Sequence, residues 1–432
     1  MLGWDFSVYP LRFMDGPGQP RKDATLATWE TGLGGLDWVE ELARRGRAVS
    51  LGGNGYLSLA VPGQAFLSFQ WDTLLLETGF LALFLAPWQF RGRTRADPPR
   101  LARWLLWWLF FRLMFMSGLV KLTSGDESWR ALTALTYHYE TQPLPTWLGW
   151  WAHQLPAGFH RFSCAVMFAI ELVGPFLLFG PRRLRHAAAL AQIALQLLIA
   201  ATGNYTFFNL LTVLLCLLFL DDAWWPRRLA GSPQPTEAAS PRFLPRALLR
   251  ALFPLAVGAS LVITLPSLLP PRAWPGWYES AFRLLAATRS VNSYGLFRVM
   301  TKTRPELVIE GSDDGRDWRP YGFKWKPGDL ARRPGFVAPH QPRLDWQLWF
   351  AALAHPRREQ WMLNLCEHLL RGTPAVTRLF AENPFPDRPP RHLRVVLYNY
   401  TFTTPEERER TGQWWNRDPI DFYFRPMSLK TP

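Results

Sequence analysis

Long apolar stretches separated by arginine clusters occupy the middle of this chain, and a polar sequence of mixed period follows them. Trp71 to Pro87, Trp104 to Val120, Phe162 to Phe179 and Ala247 to Leu269 are runs of about 17 to 23 residues, the length a helix needs to cross ~30 Å of hydrocarbon. Between Arg185 and Leu220 the apolar pattern breaks only at Gly203-Asn204-Tyr205-Thr206, which predicts two short helices joined by a tight turn at one membrane face. Beyond Leu269 the period shifts. Glu306 to Glu310, a turn at Gly311 to Gly315 and the alternation from Trp318 to Trp325 predict a β-hairpin. Leu344 to Ala354 and Gln360 to Leu370 predict helices, and Leu393 to Thr401 and Phe422 to Phe424 predict strands. The pattern therefore predicts a membrane protein: a polytopic α-helical bundle of about six spans followed by a soluble α+β domain with a β-sandwich-like part. Residues 1–60 carry no apolar run and are expected to be a disordered or atypical amino terminus, 61–270 the transmembrane domain, and 271–432 the exported soluble domain.

Charge gives this arrangement a direction. The 432 residues carry a formal net charge of +14. Much of it sits in alternate connections: Arg91, Arg93, Arg95, Arg100 and Arg103; Arg182, Arg183 and Arg185; Arg227, Arg228, Arg242 and Arg246. Short basic loops stay in the cytoplasm, so the connection from Thr123 to His160, the turn at Asn204 and everything after Leu269 are expected on the opposite face. Topology then accounts for the basicity, and no basic face interleaved with aromatics supports nucleic-acid binding. Trp71, Trp88, Trp104, Trp150, Trp224 and Trp225 flank the spans as interfacial aromatics do. The three cysteines, Cys164, Cys216 and Cys366, form neither a redox pair nor a disulfide framework.

Candidate chemistry is sparse. The outer loop holds Asp126, Trp129 and Arg130, then Thr133 to Pro145, a dense polar and aromatic segment containing Tyr137, His138, Tyr139, Glu140, Gln142 and Pro143. His138, Glu140, His153 and His160 lack the spacing of a metal site, so no metal is expected. Within the spans, charges are costly and are either paired or functional. Arg112 and Glu171 are expected to pair across the bundle, Lys121 and Asp72 to reach an interface, and Glu77 and Asn204 to complete the intramembrane polar set. Gly118, near Ser117 and Ser124, suits close helix packing.

Five blocks carry a resemblance: Ser117 to Trp147 (SGLVKLTSGDESWRALTALTYHYETQPLPTW), Glu171 to Phe179 (ELVGPFLLF), Gly203 to Thr212 (GNYTFFNLLT), Asn292 to Met300 (NSYGLFRVM) and Arg343 to Leu353 (RLDWQLWFAAL). In this order they resemble the lipase maturation factor family, from about Phe66 to Asp418. The resemblance implies a multi-span protein whose carboxy-terminal domain lies in the lumen of the endoplasmic reticulum in animals, where members assist folding and assembly of secreted dimeric lipases. It carries over no catalytic residue and no cofactor. The bias toward Arg, Ala, Leu, Pro and Trp points to a bacterial gene, and so to a bacterial inner membrane with the soluble domain in the periplasm. The expected function is a membrane-anchored folding factor for a secreted client of the lipase kind, working through the outer loop and the exported domain. The competing expectation is a membrane-embedded enzyme or lipid-modifying protein with a pocket around Arg112, Lys121 and Glu171.

Overall fold

A computed structural model describes residues 64–85, 98–221, 246–268, 274–289, 291–356 and 359–429. The amino-terminal expectation, residues 1–60, and Trp88, Trp224 and Trp225 lie outside these residues. Helices α1 (Gln70–Ala82) and α2 (Arg100–Thr123) lead to two short helices, α3 (Leu135–Thr141) and α4 (Trp147–His153). Then come α5 (Ala157–Leu177), α6 (Arg182–Thr202), α7 (Phe208–Leu217), α8 (Arg246–Leu268) and α9 (Gly276–Thr288).

Four of these, α2, α5, α6 and α8, are long and apolar enough to cross a bilayer. Among the described residues four candidate spans are thus found, against the about six expected. Helix α1 has 13 residues and α7 has 10, roughly 20 Å and 15 Å of helix against ~30 Å of hydrocarbon. Helix α7 still runs back beside α6. Asn209 Nδ2 donates to Gln196 Oε1 at 2.8 Å, and further along Arg185 Nε donates to the Phe219 carbonyl at 3.1 Å. Leu198 on α6 and Leu255 on α8 are among the most exposed leucines, as lipid-facing positions would be.

Helix α5 contains a π turn, Ala169–Val173, just before Pro175. Proline has no N–H to give, so a carbonyl one turn earlier loses its donor. Gln192 of α6 supplies the replacement: its Nε2 donates to the Ile170 carbonyl at 2.7 Å. An unmet carbonyl in hydrocarbon would cost several kcal/mol, and the cross-helix bond removes that cost. The same turn carries Glu171 inward.

The carboxy-terminal domain is built on one antiparallel sheet of four strands in the order β2-β1-β3-β4, with β1 (Arg304–Ser312), β2 (Arg319–Pro320), β3 (His392–Phe402) and β4 (Trp415–Met427). Helices α10 (Arg343–Leu353) and α11 (Gln360–Leu370) cover one face. Leu307 and Ile309 of β1 and Leu393 and Val395 of β3 pack there with Leu344, Leu348, Met362 and Leu365. The β-sandwich-like expectation is thus replaced by a single sheet with helices, because α10 and α11 bury the face a second sheet would have covered. The predicted hairpin exists, but its second strand keeps only two residues before Tyr321 and Phe323 turn into the core.

Candidate functional site

The outer loop and the chain that follows the last span meet in a buried seam. Asp126 caps a short helical turn, its Oδ1 accepting the Ser128 N–H at 2.9 Å, while its Oδ2 accepts the Met300 N–H at 2.6 Å. Trp129 Nε1 donates to the Phe297 carbonyl at 3.0 Å. Gly295 lies against Val120; a Cβ there would stand 2.6 Å from Val120 Cγ2. The block from Ser117 to Trp147 and the block from Asn292 to Met300 are therefore two sides of one interface.

Arg304 is the centre of its lower half. Fully buried at the start of β1, it donates to the carbonyls of Glu140 at 2.7 Å and Pro143 at 2.8 Å, and to that of Gln142. Its guanidinium pairs with Glu306 Oε1 at 2.7 Å and lies 5.0 Å from the ring centre of Trp415. Lys326 Nζ meets the other Glu306 oxygen at 2.9 Å. Trp349 Nε1 donates to the Thr141 carbonyl at 2.9 Å, and the Phe402 N–H donates to Glu140 Oε2 at 2.7 Å. A segment with no regular partner strand thus has its backbone satisfied by side chains of the sheet domain, as burial requires.

Two further residues tie the turn after α6 into the same seam. Asn204 donates to the carbonyls of Leu144 at 3.1 Å and Gly335 at 2.9 Å, and its Oδ1 accepts the Val337 N–H at 2.7 Å. Gln142 Nε2 donates to the Thr202 carbonyl at 2.8 Å, and the Tyr205 hydroxyl donates to Gln142 Oε1 at 2.8 Å. Trp150 of α4 is buried with Tyr400, Phe402, Trp414 and Trp415. Trp71 is buried too, 4.7 Å from Trp346 between ring centres and donating to Gln341 Oε1 at 2.8 Å. Trp71 and Trp150, expected at a lipid interface, are core residues of the seam; Trp104 alone of the described set stays exposed.

The intramembrane charges pair differently from expectation. Lys121 Nζ meets Glu171 at 2.8 Å and 3.0 Å, and Arg112 pairs with Glu77. Lys121 lies nine positions beyond Arg112 on α2, about 13 Å along the axis, so Glu171, held at the level of Lys121, serves only Lys121. Glu77 of α1 also accepts the Asn292 N–H at 2.9 Å and the Tyr294 hydroxyl at 2.7 Å. Asp72 does not snorkel: its Oδ1 is 3.0 Å from Arg343 Nη2 of α10. Three of the charged side chains read as intramembrane, Asp72, Glu77 and Arg112, hold the carboxy-terminal part of the chain to the helices.

Burial shifts several titratable groups of the seam. Burial, with the charge of Lys121 behind it, pushes His138 down to about 4. His153 is pushed to about 4 by burial and by His160. Glu140 is raised by burial against the opposing pull of the Phe402 N–H and Arg304, and because His153 is neutral above about 4, its 3.7 Å approach to Glu140 is not an ion pair near neutral pH. Burial pushes Asp126 up, but the Met300 N–H and the hydroxyl and N–H of Ser128 outweigh it and hold the carboxyl below its ordinary range.

Most of the sequence-predicted residues thus converge. Asp126, Trp129, His138, Glu140, Gln142, Pro143 and Asn204 all belong to the seam, Arg112 joins it through Asn292, and Lys121 and Glu171 lie beneath it. Arg130 is exposed, and Tyr137 is half-buried under Lys302, whose Nζ is 6.0 Å from its ring centre. Tyr139 packs on His160 with ring centres 5.7 Å apart. The aromatic residues of the loop, Tyr137 and Tyr139, are half-buried, and Thr141 to Thr146 are buried. Arg304, Glu306 and Lys326 were missed. The signal available was Arg304 at i and Glu306 at i+2, two positions that share a face once the strand predicted from Glu306 is extended back to Arg304. Among the described residues, no group of His, Cys, Asp or Glu could hold a metal ion.

The sequence profile of the Lipase maturation factor transmembrane domain matches residues 51–227, and that of the Lipase maturation factor C-terminal domain matches residues 290–425. Lipase maturation factor 2 of Gallus gallus is 38% identical, over 87% of this chain and 67% of that protein. Lipase maturation factor 2 of Homo sapiens is 38% identical over 87% and 68%, and lipase maturation factor 1 of Mus musculus 35% over 87% and 69%. These relatives are vertebrate proteins, and the bacterial source and inner membrane expected from composition find no support in them. No solved structure matches the chain.

Proposed function

The chain belongs to the lipase maturation factor family and is an integral membrane protein, and on that footing we propose that it is a membrane-anchored maturation factor for a secreted lipase. The observation that carries this reading is the match to both family domains in order, spanning the helices and the sheet domain alike. The outer loop has a specific part in it. It fixes the sheet domain against the membrane helices, so that the client meets one preformed body; Glu140 acts by holding that body together. The intramembrane charges engage one another or the seam, so no specific observation favours the enzyme reading.

The test is complementation. Cells that secrete a dimeric lipase but lack a maturation factor receive the full chain, and secreted lipase activity is measured per unit of secreted lipase mass. A rise in that ratio is expected. An unchanged ratio, with the chain present in the membrane, rejects the reading.

A further inference from the structure

At the end of the helical region farthest from the sheet, a cavity of about 410 Å³ opens between the first turns of α2 and α6 and the end of α7. It is lined by Arg100, Arg103, Trp104, Arg185, Phe219 and Asp221. Helix α2 separates it from the seam by 24 residues, about 36 Å, which places it at the opposite bilayer boundary.

The charges of this cleft are unequal. Asp221 is engaged by Arg185 at 2.9 Å and by Arg182. The carbonyls at the end of α7 are satisfied as well: Trp107 Nε1 donates to Leu218 at 3.2 Å and Arg185 Nε to Phe219 at 3.1 Å. Arg100 and Arg103 are exposed at the mouth, and no carboxylate among the described residues pairs with either. Two guanidiniums therefore line the cavity with no carboxylate partner among the described residues, and guanidinium donors suit the oxygens of a phosphate.

An apolar track leaves the same cavity. Trp104 stacks on Phe179 at 5.4 Å; Phe179 meets Phe111 at 5.8 Å; Phe111 meets Phe176 at 5.1 Å, and Phe176 meets Phe115 at 5.2 Å. Trp104, Phe176 and Phe179 are exposed. This ladder descends along α2 from the boundary toward the middle of the span, the path of an acyl chain whose headgroup sits in the cleft.

We propose that the cleft between α2, α6 and α7 binds an anionic glycerophospholipid, its phosphate held by Arg100 and Arg103 and an acyl chain laid on the Trp104–Phe115 aromatic ladder. Nothing in this depends on the identity of the client. The shared chemistry is a phosphate, and free phosphate is the alternative source; the exposed ladder selects the lipid, because free phosphate has no use for it.

The experiment is native mass spectrometry of the full chain released from nanodiscs holding phosphatidylcholine and phosphatidylglycerol in equal parts. Retention of phosphatidylglycerol over phosphatidylcholine is expected, and Arg100→Gln with Arg103→Gln should lower that preference by about tenfold or more. Arg316→Gln with Arg319→Gln, both exposed on the sheet domain, should leave it unchanged. Both target arginines are exposed, so the double variant is expected to fold; Trp104→Ala, which keeps the charges, should also weaken retention. Equal retention of the two lipids, or a preference that survives the double substitution, overturns the proposal. Displacement of the lipid by inorganic phosphate alone, with Trp104→Ala without effect, would assign the cleft to free phosphate and overturn the lipid.

Discussion

Arg304, itself fully buried, directs its guanidinium at three backbone carbonyls and one buried carboxylate. A lysine carries the charge but not the planar fork. Arg304→Lys should therefore lower the unfolding free energy by about 2–4 kcal/mol, read by tryptophan fluorescence during chemical unfolding in detergent, whereas Arg316→Lys on the exposed turn should leave it unchanged. His138 makes a second residue-level test. The Tyr205 hydroxyl donates to Gln142, so it accepts from His138 Nε2 at 3.2 Å, and Nδ1 is left as a buried nitrogen without a partner among the described residues. A proton there finds no acceptor. Because the folded-state value lies near 4 and the ordinary value is 6.5, the unfolded chain binds the extra proton between those limits, and stability falls as pH drops through that window. The melting temperature should decline from pH 6.5 toward 4, and His138→Phe should flatten that decline. An unchanged slope would show that His138 does not titrate there. At this scale the sequence was informative about which residues matter but not how: Glu140 and Gln142 stood out as polar groups near a membrane, yet their carbonyls, which every residue possesses, make the contacts to Arg304.

Among elements, α2 is the post to which the others attach. Gly118 lets α5 approach so closely that a Cβ would stand 2.8 Å from Leu172 Cδ2, and one turn on, Lys121 meets Glu171. Lys121→Met leaves a buried carboxylate without its cation and should destabilise by about 3–5 kcal/mol. Adding Glu171→Gln removes the stranded charge and should recover more than half of that loss, as a double-mutant cycle would measure. Recovery of nothing would mean that Glu171 has another partner. Helices α2, α5, α6 and α8 were legible because length and hydropathy alone decide them. Strand β4 was legible only at Phe422 to Phe424, for Asp418 and Pro419 interrupt its β pattern. It is an edge strand, and a register shift opposite Leu397 and Tyr398, where β4 carries the extra residue Ile420, accommodates the proline. The pairing of Arg112 with Glu77 was not legible, because it depends on which helix, α1 or α5, lies at that depth.

In the whole molecule, the membrane helices and the sheet domain share one core: Trp346 of α10 belongs to the same buried cluster as Trp71, Leu109 and Trp129. The two domains matched by the family comparison are therefore not beads on a tether. The Asp72–Arg343 pair, the Glu77 cluster, the Asp126–Met300 bond and the Arg304 clamp join them at four places. The mean pattern of the sequence separated a membrane part from a soluble part, and it had no means of showing that the loop between α2 and α5 is the mortar between them. If lipase maturation uses this joined body, breaking the clamp should abolish activity without removing the protein. The measurement is the specific activity of a secreted dimeric lipase from cells lacking a maturation factor, given the wild-type chain or Arg304→Lys at equal membrane abundance. The expected result is restoration by the wild type and loss of most of that gain in the variant. A wild-type chain that yields no more active lipase than membranes without it would contradict the account.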